Sequence, residues 1–263
     1  MTVTTYSIQG RREYQEDRYF SKKIGKNRYV LAVFDGHGGA ACSSYCLSRF
    51  KKMVTKSTQP VDMPNIIGKI SRSWDKKCMD FMGLKESDIT KEWRSALMHH
   101  PKWTEFAKAG LDSGTTFCSV YITLDKMHIT TIGDSQVVWK FDNGKTGFSI
   151  AHKPSASSPN VRIKAEIKRP DIPRINGILA VGRAIGDNGL DMWGSVSRTP
   201  TVRIVPLQFK NKFSVLVGTD GVWDHNVTYP AVMRFRTAKE VVEYAYTRGS
   251  TDNITALLLC VRK

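Results

Sequence analysis

A chain of 263 residues, 41% hydrophobic and 24% charged, holds enough apolar material for a sizeable core and lacks the polar bias of a disordered protein. No apolar run approaches the roughly 20 residues of a membrane helix, and MTVTTYSIQGRR lacks the apolar centre of a secretory signal, so an intracellular protein off the membrane, cytoplasmic or nuclear, is expected. The formal charge of +16 favours phosphate-rich or acidic partners, yet no zinc-finger, basic-zipper or RNP signature accompanies it, and nucleic acid is not the expected substrate.

In chain order, TVTTYSI and NRYVLAVF are rich in β-branched and aromatic residues and read as two strands that pair with each other. AACSSYCLSRFKKMV follows as an amphipathic helix, with Ala40, Cys46 and Phe50 near one face and Lys51 and Lys52 outside it. A second helix covers NIIGKISRSWDKKCMDFM, and KEWRSALMHH has a helical flavour before Pro101 stops it. Trp74, Trp93 and Trp103 in this region read as sheet-covering residues.

From Thr115, TTFCSVYITLDKMHITTIGDSQVVWKFDN reads as three strands of an antiparallel meander, divided at Leu124–Lys126 and Gly133–Ser135. TVRIVPL, FSVLVGTDG and NITALLLCV are further strands, with AVMRFRTAKEVVEYAYT helical between the last two. Blocks of strands and helices without strict βαβ alternation predict an α+β fold of two packed, mainly antiparallel sheets flanked by helices. With no internal repeat and no linker rich in Pro, Gly or Ser, residues 1–263 are expected to form one domain. Cys42, Cys46, Cys78, Cys118 and Cys260 form no C-x-x-C pair and read as reduced core residues. Cys42 and Cys46, four apart on one helix, lack the nearby histidines that would complete a metal site.

Acidic residues recur where strands end against glycine. Asp35 ends VLAVF, Asp134 follows ITTIG, Asp220 follows SVLVGT, and Asp252 precedes NITALLLCV. Taken singly, a DG or GD pair is more often a turn than a site. Four carboxylates brought to one rim of a packed sheet would repel one another, and a divalent cation is the usual means of holding them together. Oxygen-only ligands suit Mg²⁺ or Mn²⁺ rather than zinc or copper. Glycine beside an acid lets the backbone approach the ion and offer a carbonyl.

RREYQED at 11–17, FDGHGG at 34–39, DSGTTF at 112–117, IGDS at 132–135, LAVGRAIGD at 179–187, TDGVWD at 219–224 and STDN at 250–253 run nearly end to end. In order and spacing, these motifs resemble the metal-dependent type 2C (PPM) serine/threonine protein phosphatases. The resemblance implies a four-layer α-β-β-α fold with a two-metal centre at one end of the β-sandwich. It also implies hydrolysis of phosphoserine and phosphothreonine by direct attack of a metal-bridging water or hydroxide, without a phosphoenzyme.

Matched residue by residue, Asp35 bridges both metals, while Glu16 and the carbonyl of Gly36 complete one site and Asp220 and Asp252 the other. Asp17 holds metal-bound water, and Asp134 and Asp224, with Asp220, recruit a weaker third ion. Arg12 binds phosphate, His37 is the general acid, and Arg183 in LAVGRAIGD joins Arg12 as a phosphate- or substrate-binding residue. Elementary chemistry agrees with these roles. Two cations roughly 3.5 to 4 Å apart lower the pKa of a water held between them toward neutrality. A forked guanidinium fits phosphate better than ammonium does. Imidazole is the side chain whose ordinary pKa lets it protonate an alkoxide near pH 7.

The chain also departs from the family pattern. Ala151 stands before His152 where the family has aspartate, so His152 reads as a local anchor, and Gln136 follows GDS in place of arginine. Residues 155–178, SASSPNVRIKAEIKRPDIPRINGI, set Arg162, Lys164, Lys168, Arg169 and Arg174 against Glu166 and Asp171. Such a basic wall suits an acidic or multiply phosphorylated peptide. Trp223, inside TDGVWD, is expected to pack beneath the metal rim. Phosphorylated proteins are the expected partners and a monomer the expected state. A binding module that keeps the fold would lose a metal carboxylate, and Asp35, Asp220 and Asp252 all stand. A metal-dependent nuclease, which the charge favours, would need a polymer groove that the sequence does not disclose.

Overall fold

Residues 1–85, 99–154, 174–175, 179–188, 196–207 and 212–261 are described by the structure, a computed structural model. The chain lays down β1 (Thr2–Ile8), β2 (Arg18–Gly25), β3 (Arg28–Phe34) and the two-residue β4 (Gly36–His37), then helices α1 (Ala41–Met53), α2 (Met63–Met82) and α3 (Trp103–Lys108). Next come β5 (Gly114–Thr115), β6 (Phe117–Ile122), β7 (Lys126–Ile132), β8 (Gln136–Phe141) and β9 (Thr146–Phe148). β10 (Ile185–Gly186), β11 (Thr201–Pro206) and β12 (Phe213–Gly218) precede α4 (Tyr229–Val232), α5 (Ala238–Thr247) and β13 (Ile254–Val261).

Two five-stranded antiparallel sheets result, one ordered β1-β13-β12-β8-β9 and the other β11-β7-β6-β3-β2, with a small sheet β10-β5-β4 at the rim. Their central strands are buried on both faces and divide their side chains between layers. In β3, Leu31 and Val33 enter the core between the sheets with Val120, Val137, Val215 and Leu257. Val30, Ala32 and Phe34 face the other way, onto the helical layer of α1 and α2, where they meet Cys46, Phe50, Ile70 and Trp74. On the far side, Leu216, Ala256 and Leu258 pack against Val241, Val242 and Ala245 of α5. The expected α-β-β-α layering is the observed one. All five cysteines are free and buried, and Trp74 covers the sheet as expected. Trp93 and most of the KEWRSALMHH stretch lie outside the described residues.

Three local expectations are corrected. β1 does not pair with β3. It lies in the other sheet against β13, from Thr2↔Cys260 to Ile8↔Ile254, and the partner of β3 is β2. The β2 sequence RYFSKKIG buries only Phe20 and Ile24, and its lysines suit an exposed sheet edge while masking the strand pattern. The meander also breaks. β6 pairs with β7, but β8 crosses to the opposite sheet beside β12. The crossing is at Gly133, whose φ of +97° is strained for any side chain. Finally, the helical run before β13 divides into α4 and α5. Thr237 restarts the helix as a capping box, its Oγ1 accepting from the Glu240 N–H at 3.3 Å while Glu240 Oε2 accepts from the Thr237 N–H at 2.8 Å.

Candidate metal centre

The acids meet because the chain changes sheets at one rim. Residues 9–17 lead from Ile8 of β1 to Arg18 of β2 and carry Arg12, Glu16 and Asp17 across that end. Gly133 to Ser135 make the crossing from β7 to β8 and place Asp134 there. Asp35 follows β3, Asp220 follows β12 and Asp252 precedes β13, all at the same end of the sandwich. A side chain on Gly36 would meet the Glu16 carbonyl at 2.6 Å and Ser43 Oγ at 2.8 Å, so only glycine lets the exit of β3 lie against the crossing loop.

A cleft of about 660 Å³ opens at this rim, lined by Arg12, Glu16, Asp35, Gly36, His37, Thr116, Asp134, Lys153, Arg174, Asp220, Asp224, His225 and Asp252, among others. Carboxylate oxygens of Asp35, Asp134 and Asp220 lie within 4.8 Å of one another, and those of Asp220, Asp224 and Asp252 form a second such group. Asp220 joins the two. Burial, and then the charge of Asp220, holds the Asp35 carboxyl well above its ordinary range; burial, and then Asp134, does the same to Asp220. Asp17 is pushed up to about 7 and Asp134 to about 6, both chiefly by burial. Asp17 Oδ1 and Asp134 Oδ1 are buried without a hydrogen-bond partner among the described residues. Hard oxygen donors this crowded, with buried oxygens unspent, fit divalent cations such as Mg²⁺ or Mn²⁺.

Other candidates take separate positions. Glu16 lines the cleft outside both groups, its Oε1 accepting from the Gly39 N–H at 2.6 Å. Asp17 stands behind the rim, its Oδ2 accepting from the hydroxyls of Thr219 at 2.9 Å and Thr255 at 2.7 Å. Arg12 is half exposed and donates to Asp252 Oδ2 at 2.5 Å. His37 Nε2 lies 2.8 Å and 2.9 Å from the two carboxylate oxygens of Asp187. Burial alone would lower the His37 pKa, but the charge and hydrogen bond of Asp187 outweigh it and raise it.

Arg183 is a correction, since it does not reach the cleft. Its buried guanidinium donates to the Thr199 carbonyl at 2.8 Å and to Thr201 Oγ1 at 3.1 Å, which commits it to the protein interior. His152 lies beside it as an anchor. Its Nδ1 accepts from the Gly133 N–H at 3.1 Å, so Nε2 carries the proton toward Thr201 Oγ1 at 2.9 Å. Burial, and then the charge of Arg183, lowers the His152 pKa to about 4 and keeps the ring neutral. Gln136 bridges the Ser149 carbonyl and the Tyr229 hydroxyl. Trp223 packs edge-on against Tyr229.

Residues 1–254 match the model of the protein phosphatase 2C family. The chain belongs to that family. Its members are metal-dependent serine/threonine protein phosphatases, and this chain is one of them. The phosphatase is 26% identical over 276 residues to "Protein phosphatase 1L" of Bos taurus, across 99% of this chain and 72% of that protein. It is 28% identical over 271 residues to "Probable protein phosphatase 2C 11" of Arabidopsis thaliana, across 96% of this chain and 64% of that protein. Among solved structures, a Toxoplasma gondii phosphatase superposes with a TM-score of 0.72 at 19% identity, covering 99% of this chain and 94% of that one. The serine-threonine phosphatase 2C of the same organism gives 0.66 at 17% identity, covering 99% and 94%. Both share the fold.

Two residues of the phosphatase's site have no motif that marks their role there, Asp187, buried against the cleft-lining His37, and Lys153 in the cleft lining. Asp187 ends the motif LAVGRAIGD, and its pairing with a histidine 150 residues away has no local signal. Lys153 lies 3.9 Å from Asp134, and only its position after the anchored His152 hints at this. Of the basic wall, Arg174 lines the cleft, while Arg162, Lys164, Lys168 and Arg169 lie outside the described residues. Among the described residues, no helix is long and apolar enough to cross a membrane.

Proposed function

We propose that the phosphatase removes phosphate from phosphoserine and phosphothreonine in proteins by a single hydrolytic displacement at this rim, with Arg12 holding the phosphoryl group and His37 protonating the departing oxygen. The observation that carries the reading is the pair of carboxylate groups sharing Asp220. Asp35, Asp220 and Asp252, with Glu16 and the carbonyl of Gly36, would hold Mg²⁺ or Mn²⁺, and Asp134 and Asp224 would hold a weaker ion. Bound there, such cations supply the acidified water that hydrolysis needs at neutral pH.

The chain's own groups supply the rest. The guanidinium of Arg12 points into the cleft from an exposed side chain and is oriented by Asp252. Its planar fork matches phosphate oxygens and meets charge that grows on them during transfer. A serine or threonine alkoxide leaves poorly without a proton. Nε2 of His37 is engaged by Asp187, so Nδ1 is the nitrogen that delivers the proton, and the Asp187 carboxylate, which raises the His37 pKa against burial, favours the protonated ring that this task requires. Asp17, hydrogen-bonded to Thr219 and Thr255 behind the rim, would steady ordered water next to the ions. Acidic phosphoproteins are the substrates that Arg12, Lys153 and Arg174 at the cleft would suit.

Phosphate release from a phosphothreonine peptide, measured with Mn²⁺, with Mg²⁺ and in EDTA, tests the reading, with Asp220→Ala as control and DNA as competing substrate. Metal-dependent release that Asp220→Ala abolishes is expected. Release from DNA alone, or release from the peptide undiminished in EDTA, would overturn it.

A further inference from the structure

Lys153 sits where the acid cluster meets the cleft wall, and the chemistry outlined above does not use it. Its Nζ lies 3.9 Å from Asp134 Oδ2, and it lines the same cleft as Asp134 and Asp224. These two carboxylates flank Asp220, one in each of the two acidic groups. The carboxylate of Asp134 is 2% exposed, and its Oδ1 has no hydrogen-bond partner among the described residues. It is a buried acceptor with capacity to spare.

The backbone fixes this placement. The His152 N–H donates to the Gly133 carbonyl at 2.9 Å, and the Gly133 N–H donates to His152 Nδ1 at 3.1 Å. The residue before Lys153 is therefore tied twice to the residue before Asp134. The same imidazole donates to Thr201 at 2.9 Å, and the His152 carbonyl accepts from the Gly182 N–H at 2.6 Å. Lys153 and Asp134 stand side by side through bonds that neither makes itself. The Lys153 side chain is nonetheless 60% exposed, and 3.9 Å is a charge contact, too long for a hydrogen bond. A hydrated point charge on a flexible stem neutralises a carboxylate at that distance without locking to it.

We propose that Lys153 is a tethered counter-ion that competes with a divalent cation for the Asp134–Asp224 side of the centre. The inference rests on the reading that the acid cluster holds divalent ions. With the ammonium in place, the crowded carboxylates have a positive neighbour of their own. An ion entering on that side must displace it, which its exposure permits. The ion nearest Lys153 is accordingly the weakest held, and its affinity is set by this side chain.

Mn²⁺ binding at pH 7, read from the electron paramagnetic resonance of free Mn²⁺, tests this on wild type, Lys153→Met and Lys153→Arg. Loss of one exposed charge near 4 Å is expected to tighten the weakest class of sites about fivefold in Lys153→Met. The tighter sites stay as in wild type, and Lys153→Arg retains wild-type affinity. Lys153→Gln, a soluble second variant at an exposed position, is expected to repeat the tightening. Identical Mn²⁺ isotherms for wild type and both neutral variants overturn the proposal and leave the divalent-ion reading standing. A wild-type protein that binds no Mn²⁺ overturns both.

Discussion

His37 and Asp187, 150 residues apart in the chain, meet at the cleft with Nε2 shared between both carboxylate oxygens at 2.8 and 2.9 Å. That pairing orients the ring and raises its pKa against the opposing pull of burial. A general acid works below its pKa, so activity falls as pH rises through it. Asp187→Asn removes the charge and lowers the pKa, which moves the alkaline fall of kcat to lower pH. A loss of about 10- to 100-fold in kcat at pH 7.5, with KM little changed, is expected. Steady-state kinetics across pH 6 to 9 on a phosphothreonine peptide check this, and an unshifted alkaline limb would remove His37 from the role.

Gly114 lies against that same pair. A Cβ there would sit 2.4 Å from the Asp187 carboxylate oxygens and 2.4 Å from His37 Nε2. Neither group has room to retreat without parting from the other. Gly114→Ala is expected to fold and to lose activity on the order of 100-fold, the cost of a misplaced catalytic group. Circular dichroism and kcat measured together decide it. A fully active Gly114→Ala would show that the pair need not touch.

Proton linkage gives the metal-free protein an unusual pH profile. Folded Asp17, at about 7, and Asp134, at about 6, hold protons that the unfolded chain releases near its ordinary carboxylate value. The folded state therefore binds more protons between about pH 4 and pH 7, and stability falls as pH rises through that window. His37, whose folded pKa is also raised, acts in the same direction above its unfolded value. In EDTA, thermal unfolding is expected at a higher temperature at pH 5 than at pH 7.5. Saturating Mn²⁺ at pH 7.5 restores stability by mass action, about 2.7 kcal/mol at a hundred times Kd for one site. Calorimetry at the two pH values, with and without Mn²⁺, reads both effects.

Arg12 and Arg183 are expected to fail differently. Arg12 is half exposed at the cleft, so Arg12→Ala leaves the melting temperature nearly unchanged and lowers kcat/KM about 10- to 100-fold through lost phosphate contacts. Arg183 is buried on Thr199 and Thr201. Arg183→Ala takes the donor from the Thr199 carbonyl, leaves Thr201 with His152 alone and opens space in the interior, at a cost of about 1–3 kcal/mol of stability. Denaturant midpoints set beside peptide kinetics separate the two arginines. A drop in kcat/KM at Arg183→Ala with unaltered stability would return it to substrate binding.

Much of the fold was legible in local pattern. β3, β12 and β13 announced themselves as unbroken β-branched and aliphatic runs, because strands buried on both faces have no polar side to show. α1 shows its apolar stripe, and α2 reads as helical. β2 was not legible, since an edge strand carrying Lys22 and Lys23 exposes most of its side chains and buries only Phe20 and Ile24. The β1 sequence reads as a strand, but local pattern points it to the wrong neighbour. Nearness in sequence favours pairing with the next strand, whereas the observed partner, β13, lies at the other end of the chain.

For the candidate site, the sequence by itself determined the kind of chemistry: carboxylates at strand ends, glycines that let backbones approach, and one arginine and one histidine beside them. Residue type and turn preference are properties of a few neighbouring positions, so they survive in a linear text. The tertiary structure alone decided which groups touch. It set Asp187 under His37, Lys153 beside Asp134, and Arg183 away from the cleft. Those contacts follow from strands exchanging sheets at one rim, and that exchange is settled by which apolar faces are buried together across the whole chain.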